Sequence, residues 1–179
     1  MSDVESLSIS NTKRSLVSVL QNIPGLNLDF ITERTLSRPP FEFIHTIVRI
    51  LVGKLGFAPF LYTETTELNP QIRFTKRDKI AFLIKLTSVV TAITGTAVDL
   101  YVSPAKIISG KDVLVTHFFL QNLARAASYP RDRTEECAKE VREAGEEFLY
   151  QRSVRRRQYI VVFQAIWRGR LVRCRERVL

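Results

Sequence analysis

The sequence predicts an all-α chain, with a disordered N-terminus over 1–11, a helical domain over 12–128 and a long basic helix over 129–179. Apolar residues recur every three or four positions in several segments, which is the period of an amphipathic helix. No segment of any length alternates apolar and polar residues, so a sheet is not expected. Apolar residues make up 45% of the chain and charged ones 25%, which is enough apolar content for a packed core.

The first part of the domain carries several helix signals. Short helices are predicted over 13–21 and 28–36, where apolar residues have helical spacing. The run Ser37-Arg38-Pro39-Pro40 is typical of a helix start, because proline is tolerated in the first turn. The apolar stripe of 41–55 then predicts a strong helix that ends at a glycine. Aromatic residues in the connection 56–74 indicate that it is packed against the domain.

The second part of the domain has similar boundaries. A helix is predicted to begin at Thr75, with Asp78 in its first turn, and to end at Gly95. A serine followed by proline predicts a short helix over 103–108, and an apolar stripe predicts a buried helix over 112–127.

The net charge of +9 is concentrated near the C-terminus. Residues 1–128 carry 14 lysines and arginines against 10 acids, whereas residues 150–179 carry nine arginines and one acid, Glu176. Such a segment favours acidic partners: nucleic acid, an anionic membrane, the acidic face of tubulin, or an acidic EF-hand protein.

The cysteines and the N-terminus indicate the expected compartment. Cys137 and Cys174 are far apart, no CxxC pair exists, and a reducing, intracellular setting fits best. The first residues contain acids where a signal peptide would need bases, and no apolar run reaches transmembrane length.

The most specific pattern lies in the basic segment, over 163–173. Phe163-Gln164 is followed after three residues by Arg168-Gly169, and after three more by Arg173, which resembles an IQ motif. The resemblance implies that this helix binds calmodulin or a centrin-like EF-hand light chain, with Gln164 bonding the interlobe backbone and Arg168 pairing with acids. The predicted light-chain-binding residues are Phe163, Gln164, Ile166, Trp167, Arg168, Gly169, Leu171 and Arg173.

An alternative function for the same helix is binding to nucleic acid or to a membrane surface. Basic amphipathic helices serve all of these partners. Electrostatic binding does not require the Gln–Arg-Gly spacing, so the spacing favours the light chain. The sequence leaves open whether the helix over 134–177 is continuous.

The helical domain carries a second resemblance. The order of the segments 37–45, 56–62, 78–83 and 104–110 resembles the N-terminal domain of a family of microtubule-interacting, TRAF-adaptor-associated subunits of intraflagellar-transport complex B. The resemblance implies a divergent calponin-homology fold that docks on tubulin or on other axonemal proteins of a cilium or flagellum. The chain departs from that family after residue 130, where the family has a charged linker and a coiled coil.

Surface bases are the expected contacts for such docking, because tubulin is acidic. The predicted docking residues are Lys54, Arg73, Lys76, Arg77, Lys79, Lys106 and Lys111. Solvated surface charge is the ordinary alternative for each of them taken singly.

Nothing in the sequence points to catalysis. His45 and His117 lie on apolar helices and are predicted to be packing residues. No nucleophile elbow, phosphate loop or metal-ligand spacing is present in the sequence, so we expect a non-catalytic adaptor without cofactor, metal or small-molecule substrate.

Overall fold

The computed structural model describes residues 3–145, and every regular element within that range is a helix. The predicted all-helical fold is therefore confirmed for this part of the chain. The helices are α1 (Asp3–Leu20), α2 (Glu33–Ser37), α3 (Phe41–Leu55), α4 (Lys76–Thr94), α5 (Val98–Tyr101), α6 (Pro104–Ile108), α7 (Val113–Ala127) and α8 (Arg131–Ala144).

One hydrophobic core unites these helices. It includes fully buried side chains from four of the longer ones: Leu16 of α1, Ile44 of α3, Leu86 of α4 and Phe119 of α7. All four belong to the same cluster of contacting apolar residues, so the described part of the chain folds around a single core.

Helix α1 corrects the prediction of a disordered N-terminus, because residues 3–11 form its first half. Ile9 is buried, and the hydroxyl of Ser8 lies 2.8 Å from the Nδ1 atom of His117 in α7. Four residues later, Gln121 of α7 donates to the hydroxyl of Thr12, so the two helices run in the same direction. A helix that docks along one side needs only a narrow buried stripe, and its polar remainder resembles a disordered sequence.

The predicted boundaries of α3 and α4 are confirmed. Gly56 caps α3 in the left-handed conformation, with φ 64°, and its amide donates to the Val52 carbonyl at 3.1 Å. Thr75 caps α4 in a capping box, in which its side chain accepts from the Asp78 amide and Asp78 accepts from the Thr75 amide.

The connection between α3 and α4 is packed, as its aromatic residues predicted. Phe57 and Leu61 are buried, and so is Tyr62. The Tyr62 ring stacks on Phe82 of α4 with centroids 4.3 Å apart, and its hydroxyl donates to the Phe82 carbonyl at 3.0 Å. These contacts fix the connection against α4.

Helix α8 differs from the prediction of one long basic helix over 129–179. It packs against α4, with Thr134, Ala138 and Val141 buried, and the Arg133 guanidinium donates two hydrogen bonds to the Ile93 carbonyl at 2.9 and 3.2 Å. It begins at Arg131, and its last residue precedes Gly145. Its narrow apolar stripe matches the face of α4, so these residues are part of the folded body.

Candidate docking surface at the start of helix α4

The structure brings four of the seven predicted docking bases together around the first turn of α4. Lys76 and Arg77 open the helix and are exposed, and Arg73 is exposed just before it. Bases at a helix N-terminus face the positive end of the helix dipole, which is mildly unfavourable. We call these four residues the basic cluster: Arg73, Lys76, Arg77 and Lys79.

The other three predicted bases lie elsewhere on the fold. Lys54 is in the last turn of α3 and is separated from Glu42, in the first turn, by about 18 Å of helix. Lys106 of α6 forms an ion pair with Asp112, and Lys111 follows α6. None of the three lies in the first turn of α4 or in the residues directly before it.

A cleft of about 390 Å³ lies beside the basic cluster. It is formed by the first turns of α3 and α4 and by the chain that precedes α4. Its lining combines aromatic and apolar side chains with bases, one acid and a hydroxyl: Phe41, Glu42, His45, Thr46, Pro70, Ile72, Arg73, Phe74 and Lys79.

Packed aromatic rings support the cleft. The ring of Phe41 lies 5.4 Å from that of Phe74 and 5.5 Å from that of Phe82, between centroids. His45 is buried among them, and its Nε2 atom lies 2.8 Å from the Glu67 carbonyl, to which it must donate because a carbonyl only accepts. The prediction that His45 is a packing residue is confirmed.

The other histidine is also a packing residue, as predicted. His117 is fully buried, and its Nε2 atom lies 2.7 Å from the Leu36 carbonyl. Nε2 must donate to that carbonyl, and Nδ1 pairs with the Ser8 hydroxyl at 2.8 Å. The histidine thus joins α1, α2 and α7.

Lys79 and Glu42 form an ion pair at the mouth of the cleft. The Lys79 ammonium lies 2.6 Å from a Glu42 carboxylate oxygen and 4.9 Å from the centre of the Phe41 ring. The hydrogen bond from Lys79 holds the pKa of the Glu42 carboxyl below its ordinary value of 4.5. The sequence pattern did not single out Glu42, because a pair separated by 37 residues leaves no periodic signal.

Asp78, a second acid next to the basic cluster, is hydrogen-bonded to the residue that caps α4. Asp78 accepts hydrogen bonds from the amide and the hydroxyl of Thr75 at 2.8 and 2.7 Å, and these bonds lower its pKa. Its carboxylate is therefore directed at the helix end, while Arg73, Lys76 and Arg77 remain exposed to solvent.

The predicted light-chain site over 163–173 lies outside the described residues. Within 3–145, no helix is both long and apolar enough to cross a membrane, and no three His, Cys, Asp or Glu side chains are grouped as a metal site would require.

Comparison with known proteins identifies the domain. The family model of the microtubule-binding protein MIP-T3 CH-like domain matches residues 9–129. TRAF3-interacting protein 1 of Danio rerio is 32% identical over 114 residues, which are 64% of this chain and 17% of that protein. The protein of the same name from Mus musculus is 29% identical over 117 residues, 65% of this chain and 17% of the relative.

The matched segment thus spans about a sixth of the length of these relatives. The family model, by contrast, covers well over half of this chain, including α3, α4 and the whole of the cleft. The chain therefore belongs to the MIP-T3 family, whose CH-like domain it carries.

Proposed function

We propose that this protein is a non-catalytic adaptor of the cytoskeleton in cilia or flagella. Its head, residues 3–145, docks on microtubules or on axonemal proteins, and its C-terminal IQ motif binds calmodulin or a centrin-like EF-hand light chain. Membership of a family named for microtubule binding supports the first part. The observation that carries the proposal is the basic cluster beside the cleft of the CH-like domain.

Charge is the physical basis of the proposed docking. Three exposed bases within five residues, Arg73, Lys76 and Arg77, present positive charge to an acidic filament surface. Charge complementarity steers encounter and fixes orientation more than it sets affinity. Binding should therefore weaken as salt screens the cluster, over a Debye length of about 8 Å at physiological ionic strength.

Co-sedimentation of the full chain with microtubules tests the head. A variant carrying Arg73→Gln, Lys76→Gln and Arg77→Gln is expected to lose most of its binding. A matched variant carrying Lys54→Gln, Lys106→Gln and Lys111→Gln removes the same charge away from the cluster and is expected to bind nearly as the parent does. Equal loss in both variants would assign binding to net charge and not to this surface.

The light-chain part of the proposal rests on the residues of the IQ motif. Phe163 and Trp167 are four residues apart, a spacing that on a helix would put them on one face, and aromatic anchors of this kind fill the grooves of EF-hand lobes. We expect Phe163→Ala and Trp167→Ala each to weaken binding of purified calmodulin or centrin by more than about 1 kcal/mol, measured by calorimetry. Tyr159→Ala removes an aromatic residue outside the motif and serves as the control.

The arginines of 150–179 favour one second candidate, binding of the basic segment to nucleic acid or to a membrane surface. This function predicts binding to DNA, RNA or anionic vesicles that falls steeply with salt. If the segment binds none of these at low salt but binds a light chain tightly, the second candidate is rejected and the IQ motif is its function.

A further inference from the structure

Lys79 is a cation whose position is fixed before any partner binds. Its side chain is 23% exposed, and its ammonium lies 4.9 Å from the centre of the Phe41 ring. A lysine in solvent loses rotamer entropy when it binds an anion, whereas Lys79 is already restrained by its packing. The site therefore presents an ordered ammonium group at the mouth of the cleft.

This ammonium already holds a carboxylate, supplied by the chain itself. Glu42 contacts it at 2.6 Å, yet the Glu42 side chain is 70% exposed and sits at the edge of the cleft. Because Glu42 is largely solvated, it can turn away into water with little desolvation cost. The two members of the pair thus differ: the lysine is fixed and the glutamate is free to leave.

The geometry points to a carboxylate subsite in the cleft, in which Lys79 and Arg73 bind a glutamate or aspartate side chain of an acidic peptide segment and Glu42 is the internal competitor. This inference rests on the proposed docking function and names the part of the partner that the cleft receives. Charge complementarity selects the occupant, because both bases line the same cleft and Glu42 is the sole acid in its lining within the described residues. The aromatic rings of Phe41 and Phe74 line the same cleft and form an apolar wall beside the subsite.

The inference predicts a gain of binding on removal of an acid next to the site. Glu42→Gln keeps the shape of the side chain but removes the competing charge, so affinity for an acidic peptide should rise about two- to five-fold, the range of an exposed ion pair. Lys79→Gln should lower the affinity by a similar factor. Glu33→Gln is the matched control, since it removes an acid from the first turn of α2, outside the cleft lining.

The experiment uses the full chain and a fluorescent poly-glutamate peptide, with affinity measured by anisotropy. The basic C-terminal segment also attracts this peptide, so zero-length carbodiimide cross-linking with mass spectrometry supplies a readout specific to the site. In the free protein we expect a Lys79–Glu42 cross-link. With increasing peptide, that cross-link should decline while a Lys79–peptide cross-link grows, and in Glu42→Gln the peptide cross-link should form at lower peptide concentration.

Two results would overturn the subsite: affinity in Glu42→Gln no higher than in Glu33→Gln, or a Lys79–Glu42 cross-link that persists at saturating peptide. Either would leave the docking proposal standing if the variant lacking Arg73, Lys76 and Arg77 still loses microtubule binding. Conversely, Glu42→Gln could bind the peptide more tightly while the protein shows no binding to microtubules. That result would support the carboxylate subsite and show that its acidic partner is not the microtubule. Thermal unfolding of all three glutamine variants checks that they are folded.

Discussion

Tyr62 is a single residue that ties the connection before α4 to the core. Its ring is buried against Phe82, and burial raises the pKa of its hydroxyl well above the ordinary value of 10.0. The pKa in the folded state lies above the unfolded value. The contribution of the neutral hydroxyl to the free energy of unfolding is therefore complete below pH 10 and is lost as the pH rises through the folded pKa. An ultraviolet absorbance titration should show that this tyrosine stays protonated at pH 10 in the folded protein and ionises only on unfolding.

Replacing that tyrosine tests the hydrogen bond itself. Tyr62→Phe keeps the stacked ring but removes the donor to the Phe82 carbonyl, so the free energy of unfolding should fall by about 1 kcal/mol. Urea denaturation measures the change. A variant as stable as the parent would show that the hydroxyl adds nothing to the free energy of unfolding beyond what the ring contributes.

Glu42 offers a pH test of the ion pair at the cleft. Its pKa is lowered in the folded state, so the stabilisation from the pair is present above the unfolded value and is lost as the pH falls through the folded pKa, below 4.5. In Lys79→Met the hydrogen bond that lowers the pKa is gone, and a carbon-detected NMR titration should place the Glu42 carboxyl back near 4.5. An unchanged pKa in that variant would show that Lys79 is not the cause.

At the scale of elements, helix ends were predictable where a local signal marks them. Thr75 and Asp78 are three residues apart and cap each other, and a glycine follows each of α3 and α4. The prediction did not find α5, because four residues are too few to show a period. The sequence also predicted a helix over 28–36, but the helix α2 begins only at Glu33. Leu28 and Ile31 lie in the preceding loop, where their side chains pack against the core.

Pairings between distant elements explain the remaining errors. The polar sequence of residues 3–11 gives no sign that His117, 109 residues away, will form a hydrogen bond with Ser8. Likewise, the composition of α8 resembles a solvated helix, and only the partner face of α4 makes its three buried residues a core stripe. The same applies to the cleft: its bases were predicted from charge, whereas Glu42 and the supporting aromatic rings emerge only when α3 and α4 meet.

Arg133 is expected to stabilise α4 through its C-terminal end. Its guanidinium donates twice to the Ile93 carbonyl and lies 5.1 Å from the centre of the Tyr129 ring. Arg133→Ala should lower the free energy of unfolding by about 2 kcal/mol, because charge-assisted bonds are lost from a helix terminus. Lys139→Ala removes an exposed base of the same helix and should lower the free energy of unfolding much less than Arg133→Ala in the same denaturation experiment.

At the scale of the whole molecule, α8 belongs to the head although the family model ends at residue 129. A chain cut after Ser128 would expose the face of α4 that Ala138 and Val141 cover. We expect it to be less stable than a chain cut after Gly145 by about 3 kcal/mol, and to unfold at a lower temperature by calorimetry. Similar melting of the two would mean that α8 adds little to the fold.

The docked position of α8 also has a mechanical consequence. A pull on the chain beyond Gly145 reaches Val141 first, then Ala138 and Thr134, and only afterwards the Arg133 bonds to α4. Contacts loaded one after another yield singly, at lower force than contacts loaded together. Helix α8 would therefore come away from α4 and lengthen the chain under tension while the core of α1, α3, α4 and α7 stays folded.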